Sequence, residues 1–79
     1  MLHDVRVPDL DMPECMMRLT LWMARPGQTV EEDRPVAEIL AGAVLFELPA
    51  PVQGILAERL VEEDDLVTPG QTIGRIESE

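Results

Sequence analysis

The chain has no lysine and no tyrosine, and only one each of cysteine (Cys15), histidine (His3), serine (Ser78), tryptophan (Trp22) and phenylalanine (Phe46). At average usage a chain of 79 residues would carry roughly four or five lysines. Here all six basic side chains are arginines. One cysteine excludes an internal disulfide framework. With so few aromatics, aliphatic side chains must build the core, and in a single domain of this size that core is thin. Positive charge is also scarce: sixteen acidic residues against six arginines give a net charge of −10. That balance excludes nucleic acid and anionic membranes as partners, since both require basic patches. No run approaches the ~20 apolar residues of a membrane helix. The opening Met1-Leu-His-Asp-Val-Arg-Val-Pro8 has neither the basic nor the apolar region of an export signal, so a cytoplasmic protein is expected.

Proline and glycine are plentiful: seven prolines and five glycines interrupt the chain repeatedly, leaving little room for helices. From Glu14 to Arg25 the pattern alternates, with Met17, Leu19, Leu21 and Met23 on one parity and Met16, Arg18, Thr20 and Trp22 on the other. Period two predicts a strand. The stretch from Ile55 to Thr68 is divided by the acidic run Glu62–Asp65 and reads as strand, turn and short strand, with a helix over Ile55–Val61 as the weaker alternative. The predicted strands are Asp4–Val7, Met16–Ala24, Thr29–Val30, Val36–Leu40, Leu45–Leu48, Gly54–Leu60, Leu66–Val67 and Thr72–Ile76.

The sequence repeats at an offset of 37 residues. Val30 falls on Val67, Val36 on Ile73, Ile39 on Ile76 and Met23 on Leu60. Neither half can bury an apolar face alone, so the two must face each other. Arg25-Pro-Gly-Gln28 and Thr68-Pro-Gly-Gln71 place Gly at the third turn position, where positive φ is required. The predicted fold is all-β: a single domain over residues 1–79, a flattened barrel or sandwich of two four-stranded sheets related by a pseudo-two-fold.

The order of these segments resembles the biotinyl/lipoyl attachment domains, the lipoyl hammerhead. Val7-Pro-Asp-Leu10 is similar to the family's opening, and Trp22-Met-Ala-Arg-Pro-Gly-Gln-Thr-Val30 to its next strand and turn. Pro35-Val-Ala-Glu-Ile39 resembles the approach to the attachment hairpin, Glu47-Leu-Pro-Ala-Pro-Val-Gln-Gly54 the exit, and Pro69-Gly-Gln-Thr-Ile73 the last turn. The resemblance covers Val5 to Glu77 and is nearer lipoyl than biotinyl. It implies a hairpin tip bearing a lysine that carries the cofactor as an amide. That position falls on Ala43, with Gly42 where lipoyl tips resemble Asp. An alanine methyl cannot form the amide, so no lipoyl or biotinyl cofactor is expected on this chain.

Four groups of residues are candidates for a function. From Ile39 to Phe46 the hairpin has no polar side chain. Its tip, Leu40, Ala41, Gly42, Ala43, Val44 and Leu45, is either a protein contact or a tight turn whose flanking Leu40 and Leu45 pack inward. Met12, Cys15, Met16, Met17 and His3 are soft ligands suited to Cu(I), but their spacing matches no motif, and methionine commonly fills cores. Cys15 and His3 lack a third residue to orient the imidazole for nucleophilic catalysis. The acidic runs Glu31–Asp33 and Glu62–Asp65 lack the alternating spacing of a calcium loop and read as solvated turns.

The expected function is therefore that of a non-catalytic protein-interaction module. It would be attached to a multienzyme complex with 2-oxo acid dehydrogenase or carboxylase subunits as partners, or pair with a second copy through the hairpin tip. The alternative is a lipoyl-domain component of a dihydrolipoamide acyltransferase, or a biotin carboxyl carrier-like protein, degenerate or mutated at the attachment site.

Overall fold

The computed structural model describes residues 1–9 and 16–79. The described residues form eight strands and no helix: β1 (Leu2–Arg6), β2 (Met17–Trp22), β3 (Thr29–Val30), β4 (Pro35–Ala41), β5 (Val44–Pro49), β6 (Gly54–Arg59), β7 (Leu66–Val67) and β8 (Thr72–Glu77). The segment beginning at Ile55 is a strand, and the weaker helical reading is set aside. One sheet has the order β1-β8-β6-β3 and the other β5-β4-β2-β7, with all pairs antiparallel.

Adding 37 to the residue numbers of β2 and β3 reproduces β6 and β7, adding 37 to β4 reproduces β8 to within one residue, and subtracting 43 from β5 reproduces β1 to within one residue. The two sheet orders then coincide strand for strand, which is the expected pseudo-two-fold. The repeat extends to the backbone. The Met23 amide donates to the Val36 carbonyl and the Leu60 amide to the Ile73 carbonyl, both at 2.8 Å. The same mapping places the chain termini where the other half has its hairpin. Ser78 N–H donates to the Met1 carbonyl beside the start of β1, just as Ala41 and Val44 pair across the tip.

The core is aliphatic and shared by both halves. Leu19, Leu56, Ile73 and Ile76 are fully buried, with Ile39 and Val36 at 1% exposure. Three of the four predicted repeat pairs, Val30/Val67, Val36/Ile73 and Ile39/Ile76, are buried on both sides. The fourth is not: Met23 is half-buried and Leu60 is 44% exposed, because both follow the register shifts of their strands and fall on the outward parity, with Trp22 and Ala24 buried on either side of Met23.

One face prediction is corrected. Strict alternation put Leu21 with Met17 and Leu19, and Trp22 on the opposite face. In the structure Leu21 is exposed and Trp22 buried. The β2–β4 register shifts between Leu19 and Leu21, and the extra residue, Thr20, inverts the parity beyond it. The β6–β8 register shifts at the equivalent place, between Leu56 and Glu58. Trp22 then donates from Nε1 to the Val61 carbonyl at 3.0 Å, and the Arg59 guanidinium stands 5.7 Å from its ring centroid.

Candidate functional site

The β4–β5 hairpin closes through a two-residue loop, Gly42-Ala43, between the paired residues Ala41 and Val44. Gly42 has φ +61° and Ala43 does not share the positive φ, the pattern of a type II′ turn with glycine at its first central position. The Gly42 amide points back to the Met16 carbonyl at 3.4 Å. Ala43 is therefore an exposed residue at the apex of a tight hairpin.

The hairpin's apolar side chains divide by parity. Ala41 is buried at 1% exposure, so its methyl belongs to the core rather than to the surface expected for it. Leu40 is half-buried, Leu45 is 58% exposed and Val44 50%. The reading in which Leu45 packs inward does not hold: Leu45 pairs with Leu40, Leu40 with Arg18 and Arg18 with Leu66. Together they form one cross-strand row on the outer face of the β5-β4-β2-β7 sheet. Leu66 is 53% exposed, and Met16, beside the tip, 68%. Arg18 lies within this row and donates from Nη1 to the Asp64 carbonyl at 3.2 Å. The row runs across the sheet, so the contiguous pattern Ile39–Phe46 covers only its β4 and β5 members. Arg18 and Leu66 become visible only through strand pairing.

The next row along this sheet is Glu47, Glu38 and Leu21. Glu38 Oε1 accepts from Thr20 Oγ1 at 2.8 Å. Its counterpart in the other sheet, by the same offsets, is the row Asp4, Arg75 and Glu58. There Arg75 Nε donates to Asp4 at 3.1 Å and Nη1 to Glu58 at 2.6 Å. These bonds raise the pKa of Arg75 further above its usual value, and the hydrogen bond from Arg75 lowers that of Asp4.

The other candidates separate in space or take structural roles. Met17 is a core residue, whereas His3 Nε2 is hydrogen-bonded to Ser78 Oγ at 2.7 Å beside the termini. Met12 and Cys15 lie outside the described residues. Among the described residues no group of three His, Cys, Asp or Glu side chains is placed to hold a metal. The acidic runs are turns, as expected, and they serve the fold. Glu63 Oε2 accepts the Trp22 amide and Asp65 Oδ2 the Glu62 amide, both at 2.8 Å. Gln28 and Gln71 close their Pro-Gly turns in the same way, accepting from Arg25 at 3.0 Å and Thr68 at 2.9 Å. No described helix is long and apolar enough to cross a membrane.

Residues 3–76 match the model of the biotin/lipoyl family described as "Biotin-requiring enzyme". The chain belongs to this family. Among curated relatives it is 40% identical, over 92% of its length, to the dihydrolipoyllysine-residue acetyltransferase component of the pyruvate dehydrogenase complex of Corynebacterium glutamicum. It is 31% identical, over 99% of its length, to the corresponding component from Staphylococcus aureus. It spans only 11% and 18% of those relatives' own lengths. The lipoyl domain of the 2-oxoglutarate dehydrogenase complex of Azotobacter vinelandii superposes with a TM-score of 0.75 at 25% identity, over 94% of this chain and 96% of that one. The lipoyl fold is thus shared, but the residues present do not fit a lipoyl or biotinyl group. Amide attachment needs an ε-amine, the hairpin apex presents Gly42 and Ala43, and the sequence holds no lysine.

Proposed function

We propose that this chain is a lipoyl-type domain that carries no acyl group and acts by protein–protein contact within a 2-oxo acid dehydrogenase type of complex. The observation that carries the reading is the conjunction at the hairpin. The lipoyl fold supports an exposed II′ apex whose side chain is the methyl of Ala43, and the surface beside it is apolar, with Leu45, Val44 and Met16 each at least half exposed. Apolar surface of this kind favours contact with another protein. The similarity to acetyltransferase components of pyruvate dehydrogenase complexes supports such a complex as the setting. The domain itself then performs no chemistry. Its contact surface is Leu40, Gly42, Ala43, Val44 and Leu45, and a second copy docked tip to tip is the competing occupant of that surface.

Two measurements test this. Intact mass of the protein produced together with a lipoate ligase is expected to show no adduct, and an adduct overturns the proposal. Affinity capture of dehydrogenase-complex subunits is expected to fall when Ala43→Glu places a charge at the apex. Equal capture by both proteins removes the tip from the contact.

A further inference from the structure

The pseudo-two-fold relates two rows of outward side chains that differ in charge at two positions, Arg75 against Glu38 and Glu58 against Leu21. In the β1-β8-β6-β3 sheet the row is Asp4, Arg75 and Glu58, in which the arginine is bonded to both acids. In the β5-β4-β2-β7 sheet the equivalent row is Glu47, Glu38 and Leu21, so a glutamate stands where the other half has its arginine. Glu38 and Glu47 are directly opposed across the β4–β5 ladder. Like charges in that relation destabilise a sheet unless a cation lies between them. The polar partner of the Glu38 carboxylate is the Thr20 hydroxyl, and the arginine nearest in register, Arg18, bonds to the Asp64 carbonyl instead. Directly beside the two glutamates runs the row of Leu45, Leu40, Arg18 and Leu66, with Leu45 and Leu66 more than half exposed.

We infer that the outer face of the β5-β4-β2-β7 sheet docks a partner protein through an extended segment. An arginine or lysine of that segment enters between Glu38 and Glu47, and the neighbouring apolar side chain on the tip side of it covers Leu40 and Leu45. The inference rests on the docking reading above and gives the partner its chemistry. Charge complementarity selects this occupant. The domain carries a net charge of −10, which steers a basic partner toward it. The same net charge disfavours a second copy, most strongly where a two-fold axis passes between Glu38 and Glu47 and brings two further glutamates onto them. The cation would complete in trans the bridge that Arg75 makes in cis.

The test uses the isotope-labelled chain and a synthetic heptapeptide, capped at both ends, with two leucines and a central arginine on one face of its extended form. Peptide-induced amide shifts are expected to concentrate at Glu38, Leu40, Leu45 and Glu47. Replacing the peptide arginine by norleucine, or making Glu38→Gln with Glu47→Gln, is expected to weaken binding roughly tenfold, the worth of a charge-assisted pair. The control Glu31→Gln with Glu32→Gln removes the same charge from a distant turn and is expected to leave affinity unchanged. Equal loss from that control reduces the effect to net charge and overturns the inference. So do shifts centred on the Glu62–Asp65 turn, or equal binding of the norleucine peptide. Concentration-dependent shifts of Glu38 and Leu45 without peptide would mean a second copy and overturn it as well. The docking reading is judged separately, by capture with the Ala43→Glu protein, so the two failures are distinguishable.

Discussion

Gly27 and Asp64, thirty-seven residues apart, hold the same left-handed backbone conformation, with φ of +90° and +75°. The relation recurs at the second turn of each half, where Asp33 has φ +68° and Gly70 +81°. Each half therefore uses one glycine and one aspartate for the same pair of bends, in opposite order. Aspartate is among the few side chains that tolerate this region, and the acidic runs supply it where the Pro-Gly turns supply glycine. The amide at the first bend is fixed in both halves. Gly27 N–H donates to the Leu56 carbonyl at 2.8 Å, and Asp64 N–H to the Leu19 carbonyl at 2.7 Å.

Gly27→Ala is thus expected to cost about 1 kcal/mol, because a Cβ in the left-handed region is strained even where space is open, as it is around Gly27. Asp64→Gly is expected to change stability by less than about 1 kcal/mol, since relief of strain offsets the added freedom of the unfolded chain. Urea unfolding of the two variants measures both. A loss from Asp64→Gly larger than that from Gly27→Ala would show that the aspartate side chain, not the backbone conformation, holds the turn.

Gly54 is constrained for a different reason. A Cβ there would overlap the Glu77 carbonyl oxygen and press on Ile76 across the β6–β8 pair. The clash is with backbone, which cannot swing aside as a flexible side chain can. Gly54→Ala is expected to destabilise by roughly 2–3 kcal/mol or more, well beyond the Gly27 variant. Thermal denaturation followed by far-ultraviolet circular dichroism compares them, and equal midpoints for the two variants would remove the steric argument.

The Asp4–Arg75 bond makes a pH prediction. The arginine's hydrogen bond holds the Asp4 carboxyl below its usual value of 3.8, burial opposing and Arg6 assisting. A carboxylate whose pKa is lower folded than unfolded contributes stability that is fully present above the unfolded value. That stability is lost as pH falls through the folded one. Arg75→Leu is expected to return the Asp4 titration toward the ordinary range and to flatten the decline in thermal midpoint below about pH 4. Carboxyl chemical shifts against pH read the titration directly. An unchanged Asp4 curve in the variant would assign the shift to Arg6.

All eight strands, their order of turns and the repeat were legible in the sequence, because alternation and Pro-Gly turns are local signals. Boundaries moved by only a few residues: β1 begins at Leu2 rather than Asp4, and β2 ends at Trp22 rather than Ala24. The bulge at Thr20 was not legible. Nothing in Leu19-Thr-Leu-Trp22 distinguishes strict alternation from one inserted residue, so Leu21 and Trp22 exchanged faces. The candidate site was legible only along the chain. The tip stood out as an unbroken apolar run, whereas Arg18, Leu66 and the Glu38–Glu47 opposition depend on which strands pair and in what register. The contrast with Asp4, Arg75 and Glu58 required both sheets.

The apex itself offers the most direct reversal. Ala43 is exposed at the second position of a two-residue loop, so Ala43→Lys places an amine at the apex without touching the core. Its effect on stability is expected to stay within about 0.5 kcal/mol, as for other surface substitutions. Attachment of lipoate is expected to be slow in that single variant, because the neighbouring residue is Gly42, whereas lipoyl tips resemble Asp-Lys. Gly42→Asp combined with Ala43→Lys restores that pair. Asp33 and Asp64 show that this chain holds aspartate at positive φ elsewhere, but the first central position of a type II′ turn favours glycine, so the double variant is expected to re-form the loop at some cost in stability. Intact mass over a time course with a lipoate ligase is therefore expected to rank the proteins as wild type unmodified, single variant partly modified and double variant most modified. Equal rates for the two variants would show that the scaffold alone presents the lysine and that Gly42 has no part in recognition.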